Sequence, residues 1–499
     1  MTISFNTVPA NTLVPLFYAE MDNSAANTMQ DSAPALLLGY ANSGAAIAAN
    51  ALVLMPSADY AKQICGAGSQ LARMVGAYRA TDPFGELYVI AVPEPAAGTA
   101  AKITLTVTGA ATESGIVNVY IGRTRIQAAV VNGDDVAAVA ASISAAINAD
   151  ATLPFTASAA QGVVTLTARH KGLCGNEIPV ALNYYGFGGN EVLPAGVSVA
   201  IASGTAGAGA PNLSGAIAAM ADEPFDYIGH PFNDPASVNT LASEMNDTSG
   251  RWSYVRQLYG HVYTAKLGTL SELVAAGDQF NLQHVTLAGY EKETQTPADE
   301  LAASRTARAA VFIRNDPARP TQTGELVNML PAQKGRRFTM TEQQSLLAHG
   351  VATAYVEGGV LRIQRDVTTY KTNAWGSADN SYLDSETLHT SAYVLRALKS
   401  VITSKYGRHK LANDGTRFGS GQAIVTPAVI KGELLAVYRR LERAGIVENY
   451  ELFKKYLIVE RDANNPNRLN TLFPPDYINQ LRVFAVVNQF RLQYPEETA

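Results

Sequence analysis

The chain has 499 residues, 47% hydrophobic and 16% charged, with 38 Lys plus Arg against 43 Asp plus Glu for a net charge of -5. That composition excludes a disordered chain and a whole-molecule polyanion binder, and the length exceeds one compact core, so direct nucleic-acid binding is not expected. Cys65 and Cys174 lie in segments of different character and make neither a disulfide framework nor a metal-ligand spacing, which fits a reducing cytoplasm. The stretch MTISFNTVPANTLVPLFYAEMDN lacks a basic start before an apolar run, and Ala35 to Met55 is interrupted by Gly39, Asn42, Ser43, Gly44 and Asn50, so neither a secretory signal nor membrane insertion is expected.

In chain order, ALLLGY at Ala35 to Tyr40 reads as a buried strand. Ser57 then caps one short helix, Ser69 caps SQLARMVGAYRA, and Glu86 to Val92 forms the next strand. Gly/Pro/Ala stretches near Pro93 and Gly204 bracket an alanine-rich module. Inside it, KITLTVTG, GIVNVYIG and TRIQAAVV alternate as strands, Asp134 caps DDVAAVAASISAAINAD, and GVVTLTAR and EIPVALNYY follow as strands. After Pro211 a strand and helix rhythm resumes, with helices NLSGAIAAMA, DPASVNTLASEM (capped by Asp234), TLSELVAAGDQF and ADELAASRTARAAVFI between strands FDYIGHPF, LYGHVYTA and HVTLAGY. This is the pattern of a doubly wound α/β core interrupted by a small α+β insertion. Farther on come a hairpin around Gly358 and Gly359, two long amphipathic helices beginning at Ser385 and Thr426, and a terminal apolar strand in QLRVFAVVNQFRLQY. The resulting division is 1–30 as an N-terminal arm, 31–95 with 209–335 as a discontinuous core, 96–208 as the insertion, 336–480 as a C-terminal α+β domain and 481–499 as an arm strand.

Chemical motifs are sparse. There is no GxxxxGK[ST], HExxH or GxSxG, the seven histidines have no ligand spacing, and no cofactor or metal is expected. The best nucleophilic set combines Asp226, His230, His261 and Ser253 or Ser420, but both histidines sit in apolar strands, where a core histidine is the commoner outcome. GAGSQ at Gly66 to Gln70 opens a helix and reads as a turn and a serine cap sooner than as an anion cradle. Arg439, Arg440 and Arg443, interleaved with Glu433 and Glu442, read as a solvated or pairing face sooner than as a nucleic-acid groove. Apolar rows at both ends, Val14, Leu16, Phe17 and Tyr18, then Val483, Phe484, Val486, Val487 and Phe490, are unusual because free termini are generally polar.

The order of VPLFYAEMDNSAA, ALLLGY, CGAGSQLARMVGAYRATDP, ELYVIAV, FDYIGHPFND, RQLYGHVYTAKLGTLSEL, HVTLAG and NRLNTLFPPDYINQLRVFAVVNQFRL resembles the contractile phage tail sheath proteins, in particular those of Mu-like myoviruses. The resemblance implies a subtilisin-like core without protease activity and arms that add strands to sheets in neighbouring subunits. It implies a non-enzymatic helical homopolymer around an inner tail tube, with baseplate and tail terminator proteins as partners, placed in the virion tail and assembled in the host bacterial cytoplasm. The end rows named above become the expected strand-exchange residues. The alanine-rich insertion is expected to face outward as decoration. Residues 1–220 hold 21 charged side chains and the rest hold 60, so salt-sensitive contacts between core domains are expected to favour the contracted lattice. The alternatives are the sheath of a non-viral contractile injection device, an α/β hydrolase, and a monomeric binding module with an adhesin-like insertion.

Overall fold

The computed structural model of the chain describes residues 33–493, and the expected N-terminal exchange residues Val14, Leu16, Phe17 and Tyr18 lie outside them. The chain opens with β1 (Ala35–Gly39), β2 (Leu52–Leu54), α1 (Ala58–Cys65), α2 (Gln70–Thr81) and β3 (Leu87–Ala91). Ser57 and Ser69 cap the two helices by accepting from the amides of Tyr60 and Ala72, the local reason each helix begins there. The inserted region follows as β4 (Ala100–Thr108), β5 (Gly115–Ile121), β6 (Thr124–Val130), α3 (Val136–Ala149), β7 (Phe155–Ala160), β8 (Val163–Lys171), β9 (Val180–Leu182) and β10 (Ser198–Ser203). The helix here is capped by Asp135, not Asp134, because the Asp134 carboxylate is taken by the Val131 amide in the preceding turn. Then come α4 (Ser214–Met220), β11 (Tyr227–Gly229), α5 (Pro235–Met245), β12 (His261–Gly268), α6 (Leu270–Asp278), β13 (Val285–Glu291) and α7 (Ala298–Asn315). The chain continues as α8 (Met340–Ala348), β14 (Val351–Glu357), β15 (Val360–Arg365), α9 (Ser385–Tyr406), β16 (Lys410–Leu411), β17 (Ile424–Val425), α10 (Pro427–Arg443), α11 (Tyr450–Tyr456), β18 (Ile458–Arg461) and β19 (Leu469–Leu472).

Eight strands form the central sheet in the order β15-β14-β13-β12-β11-β1-β3-β2, parallel except at its two edges. Successive residues of β1 face opposite sides: Ala35 and Leu37 pack with α1, α2 and α7, whereas Leu36 and Leu38 pack with α4, α5 and α6. Helices thus cover both faces, which is why the central strands read as unbroken apolar runs. β14 and β15 extend this sheet, so the boundary expected at 335/336 cuts through it; β14 pairs with β13 only after the intervening chain has folded back, and a local pattern cannot carry that pairing.

The inserted region stacks a four-stranded sheet (β10-β4-β8-β7) and a three-stranded sheet (β6-β5-β9) around its own core, with Val139, Ile143 and Ile147 of α3 filling it. β7 and β10 add to the strands expected there. The remaining core joins α9, α10, α11 and the β18–β19 hairpin through Val394, Leu434, Val437, Tyr438 and Phe453. Tyr438 and Phe453 stack with ring centroids 3.7 Å apart.

Candidate assembly interface

In open parallel sheets ligands bind beyond the carboxyl ends of the strands, where the strand order reverses. Here that point lies beyond β1 and β11, and the inserted region fills it. Cys174 Sγ donates to the Pro231 carbonyl at 3.5 Å, Glu177 accepts from Asn233 at 2.8 Å and lies 3.4 Å from Lys266 Nζ, and His170 Nε2 receives the Gln70 amide at 3.1 Å. The first amide of α2, the donor an anion would need, is therefore used by a side chain of the insertion. Gly68 fits the same contact: with φ at +75° and the carbonyls of Ala151 and Leu153 within 2.6 Å of any added Cβ, only glycine lets the two regions approach. A salt bridge adds to the docking, Arg123 of the insertion to Glu300 of α7 at 2.5 Å. The insertion is thus bonded into the core and is more than decoration.

The nucleophilic set is not assembled. Asp226 is paired with Arg396 at 2.5 and 2.7 Å, His261 Nε2 bonds Thr286 Oγ1 at 2.8 Å, and His230 is buried, its ring nitrogens outside any hydrogen bond. Burial pushes the His230 imidazole down to about 3, so it is neutral and sealed from solvent. Ser253 is buried at its own turn, accepting from the Arg256 amide, and Ser420 is exposed in an irregular stretch. The arginine face is solvated, with Arg439, Arg440 and Arg443 all exposed, and its flanks are paired: Arg439 lies 4.4 Å over the Tyr450 ring, Glu433 holds Lys405 and Tyr406, and Glu442 accepts from the Tyr450 amide. Among the described residues no group of three His, Cys, Asp or Glu is placed to hold a metal ion, and no helix is long and apolar enough to cross a membrane.

The unsatisfied surface lies at the other end. Val483, Phe484, Val486, Val487 and Phe490 are brought together as one apolar run, 79%, 81%, 66%, 94% and 75% exposed, with no regular secondary structure from 483 to 490. A strand is defined by its ladder partner, and this segment pairs with no strand among the described residues. The β18–β19 hairpin is a two-stranded sheet whose facing pair Ile458 and Leu472 is half exposed. Two strands alone are marginal in water, and their open edges are templates for further strands.

Sequence reasoning missed what secures this segment. Ile478 donates to the Ile446 carbonyl at 3.2 Å, Gln480 Nε2 to the Ala318 carbonyl at 3.0 Å, and Gln322 Nε2 to the Leu481 carbonyl at 3.2 Å. Arg482 reaches Asp384 at 3.1 Å and Glu386 at 3.3 Å. The only local hint of that role is one arginine inside an apolar run, QLRVFAVV.

Three family descriptions match the chain: phage tail sheath protein beta-sandwich domain over residues 96–198, phage tail sheath protein central domain over 206–369, and phage tail sheath C-terminal domain over 377–491. It is 39% identical over 495 residues to the Mu-like prophage FluMu tail sheath protein of Haemophilus influenzae, covering 99% of this chain and 100% of that one. Among solved structures, a sheath tail protein from Desulfitobacterium hafniense aligns over 94% of this chain and 100% of its own at 12% identity and a TM-score of 0.46. Another, from Listeria innocua, aligns over 89% and 92% at 11% identity and a TM-score of 0.47.

Proposed function

The chain belongs to the phage tail sheath family, among its Mu-like members, and is a structural subunit of a contractile tail sheath; from that premise we propose that it polymerises into a helix around an inner tail tube, between baseplate and tail terminator proteins, and contracts to drive that tube through the host envelope for genome delivery. Assembly takes place in the host bacterial cytoplasm and the product resides in the virion tail. A repeated head-to-tail contact that does not close generates such a helix from one subunit type. The central domain acts as a subtilisin-like scaffold and not as an enzyme. The filled strand-end crevice and the dispersed Asp226, His230, His261 and Ser253 support that reading.

The observation that carries the proposal is the exposed apolar run from Val483 to Phe490, together with a two-stranded hairpin in the same domain that pairs with no third strand among the described residues. The segment is a donor strand and the β18–β19 hairpin an acceptor, so each body gives a strand to one neighbour and takes one from another. Residues 483–493, extended, reach about 36 Å, enough to cross into an adjacent body. Val14, Leu16, Phe17 and Tyr18 supply the second strand from the N-terminal side. Pairing by main-chain hydrogen bonds keeps neighbours linked while the bodies rotate and slide. No nucleotide is needed if the extended lattice is a trapped state of higher free energy.

Negative-stain electron microscopy across a concentration series, with and without inner tube, tests this with the full chain beside a truncation ending at Arg482. Tubes from the full chain and none from a truncation of unchanged melting temperature are expected. Tubes of equal length from the truncation would refute the donor strand, and a full chain that never polymerises, even on inner tube, would refute assembly through this segment.

A further inference from the structure

Resting on the donor-strand reading, we propose that Arg482 is the positioning residue of the C-terminal arm: its guanidinium, seated between Asp384 and Glu386, fixes where the arm leaves the body and the direction in which it meets a neighbour. Backbone anchoring ends here. Gln480 and Leu481 are held through Ala318 and Gln322, Arg482 also donates to Gln322 Oε1 at 3.1 Å, and the Arg482 side chain is buried to 12% exposure between Leu481 and Val483, which are 71% and 79% exposed. The side chain dives back into the protein at the residue where the main chain departs.

The seat is a balanced charge cluster. Asp366, Asp384 and Glu386 face Arg305, Arg365 and Arg482: Arg305 bonds Asp366 at 2.5 Å, Arg365 grips Asp384 at 2.8 and 2.9 Å, and Arg482 completes the set. Glu386 is fully buried, and its other partners are uncharged: the amide and hydroxyl of Thr321, each at 2.8 Å, and the Ser385 hydroxyl at 3.4 Å. The neutralising cation for this carboxylate is therefore carried on the arm. Asp384 occupies the N-cap of α9, a position its side chain is suited to cap, yet makes no capping bond because both arginines claim it. That helix end gives up a local bond for the seat.

Thr321 Oγ1 also bonds Asp366 Oδ2 at 2.7 Å, so the cluster runs without a break from Arg482 through Glu386, Thr321 and Asp366 to Arg305 of α7. Arg305 in turn donates to the Thr353 carbonyl of β14 at 2.9 Å. The arm is moored to the central sheet and its longest covering helix, and tension from a neighbour enters the rigid core at that point.

The test uses the full chain as wild type, Arg482→Ala, Arg482→Lys, Glu386→Gln and the double variant Arg482→Ala with Glu386→Gln. Below the polymerisation threshold, hydrogen exchange of amides 478–482 and the melting temperature are measured; above it, electron microscopy reads the spread of helical pitch. Arg482→Ala is expected to speed exchange at 478–482 by about tenfold and to lower the melting temperature, because a buried carboxylate loses its cation. Adding Glu386→Gln should restore melting but neither slow exchange nor uniform pitch, a separation that a purely structural salt bridge would not give. Arg482→Lys should keep melting near wild type and exchange between the two. Wild-type exchange in Arg482→Ala, or uniform tubes and slow exchange in the double variant, would overturn the proposal. If the wild type forms no tubes, the assembly reading fails while exchange and melting still decide the mooring.

Discussion

The strand-end crevice and the C-terminal segment are two places where this chain could meet another molecule, and they are finished in opposite ways. At the crevice each exposed donor or acceptor is answered from within: the Gln70 amide by His170, Asn233 by Glu177, Glu300 by Arg123. At the C-terminal segment polar anchoring runs up to Arg482, and Val483, Phe484, Val486, Val487 and Phe490 after it are exposed apolar side chains. Exposing such a run costs solubility unless a neighbour covers it. The scaffold on which other proteins build a pocket is closed by the chain's own insertion, and the exposed apolar surface lies instead at the end of the described chain.

Removing the insertion should break this contrast most severely. Thr99 and Ala208 exchange two backbone hydrogen bonds, at 3.0 and 3.1 Å, so joining them directly leaves the flanking backbone where it is. The excised chain would strip Arg123 from Glu300, Glu177 from Lys266 and His170 from the α2 amide, and a loss of more than about 5 kcal/mol is expected, seen as insoluble product or a collapsed urea midpoint. A soluble product of wild-type midpoint would return the insertion to the role of decoration. Next in size is Arg305→Met, which leaves Asp366 buried and short of its cation; about 3–5 kcal/mol should be lost in urea unfolding.

Much of the core was legible because its signals are local. Ser57, Ser69 and Asp234 each cap the helix their position announces, and ALLLG sits at the centre of the sheet as its apolar run implies. FTASAA and SVAIAS escaped notice as strands because small and hydroxylated side chains blur the alternation that marks one; their pairing with β8 and β4 is set by partners distant in the chain. The helix at Met340–Ala348 was missed as well, although a capping box, Thr339 with Glu342, marks its start, because only Leu346 is buried and its apolar pattern is weak. The exposed apolar residues from Val483 to Phe490 could be read as an oddity of composition. Their mooring could not, since Arg482 finds its acids about 100 residues upstream, through the fold alone.

A third prediction separates body from arm by acid. His230 lies at the end of β11 beside the filled crevice, and His389 bonds the Tyr263 hydroxyl at 2.9 Å; burial pushes both imidazoles down to about 3, with Arg396 adding to the effect at His389. Unfolded histidine titrates near 6.5, so between about 6.5 and 3 the unfolded chain binds protons that the native one refuses. Stability held above 6.5 is therefore lost as pH falls through that window, by about 1.4 kcal/mol per pH unit for each histidine. Urea midpoints from pH 7 to 4 should show it, and His389→Gln should flatten the slope by about one proton. No histidine follows His409, so the arm has no share in this effect.

The smallest expected change in stability carries the largest change in assembly. Phe484→Ser, Val486→Ser and Val487→Ser alter side chains already in water, so the isolated subunit should shift by no more than about 0.5 kcal/mol each. In a donor strand, Val483 and Val487 point to one face, and Phe484, Val486 and Phe490 to the other, because side chains alternate. One face packs on the acceptor and the other on its surroundings, so serine at Val486 and at Val487 should weaken polymerisation unequally. The ratio of their critical concentrations, measured by sedimentation, then identifies the buried face. Equal effects, or none, would mean that the run joins its neighbour as a loose apolar cluster and not as a strand, and the contrast between a sealed crevice and an open strand would lose its second half.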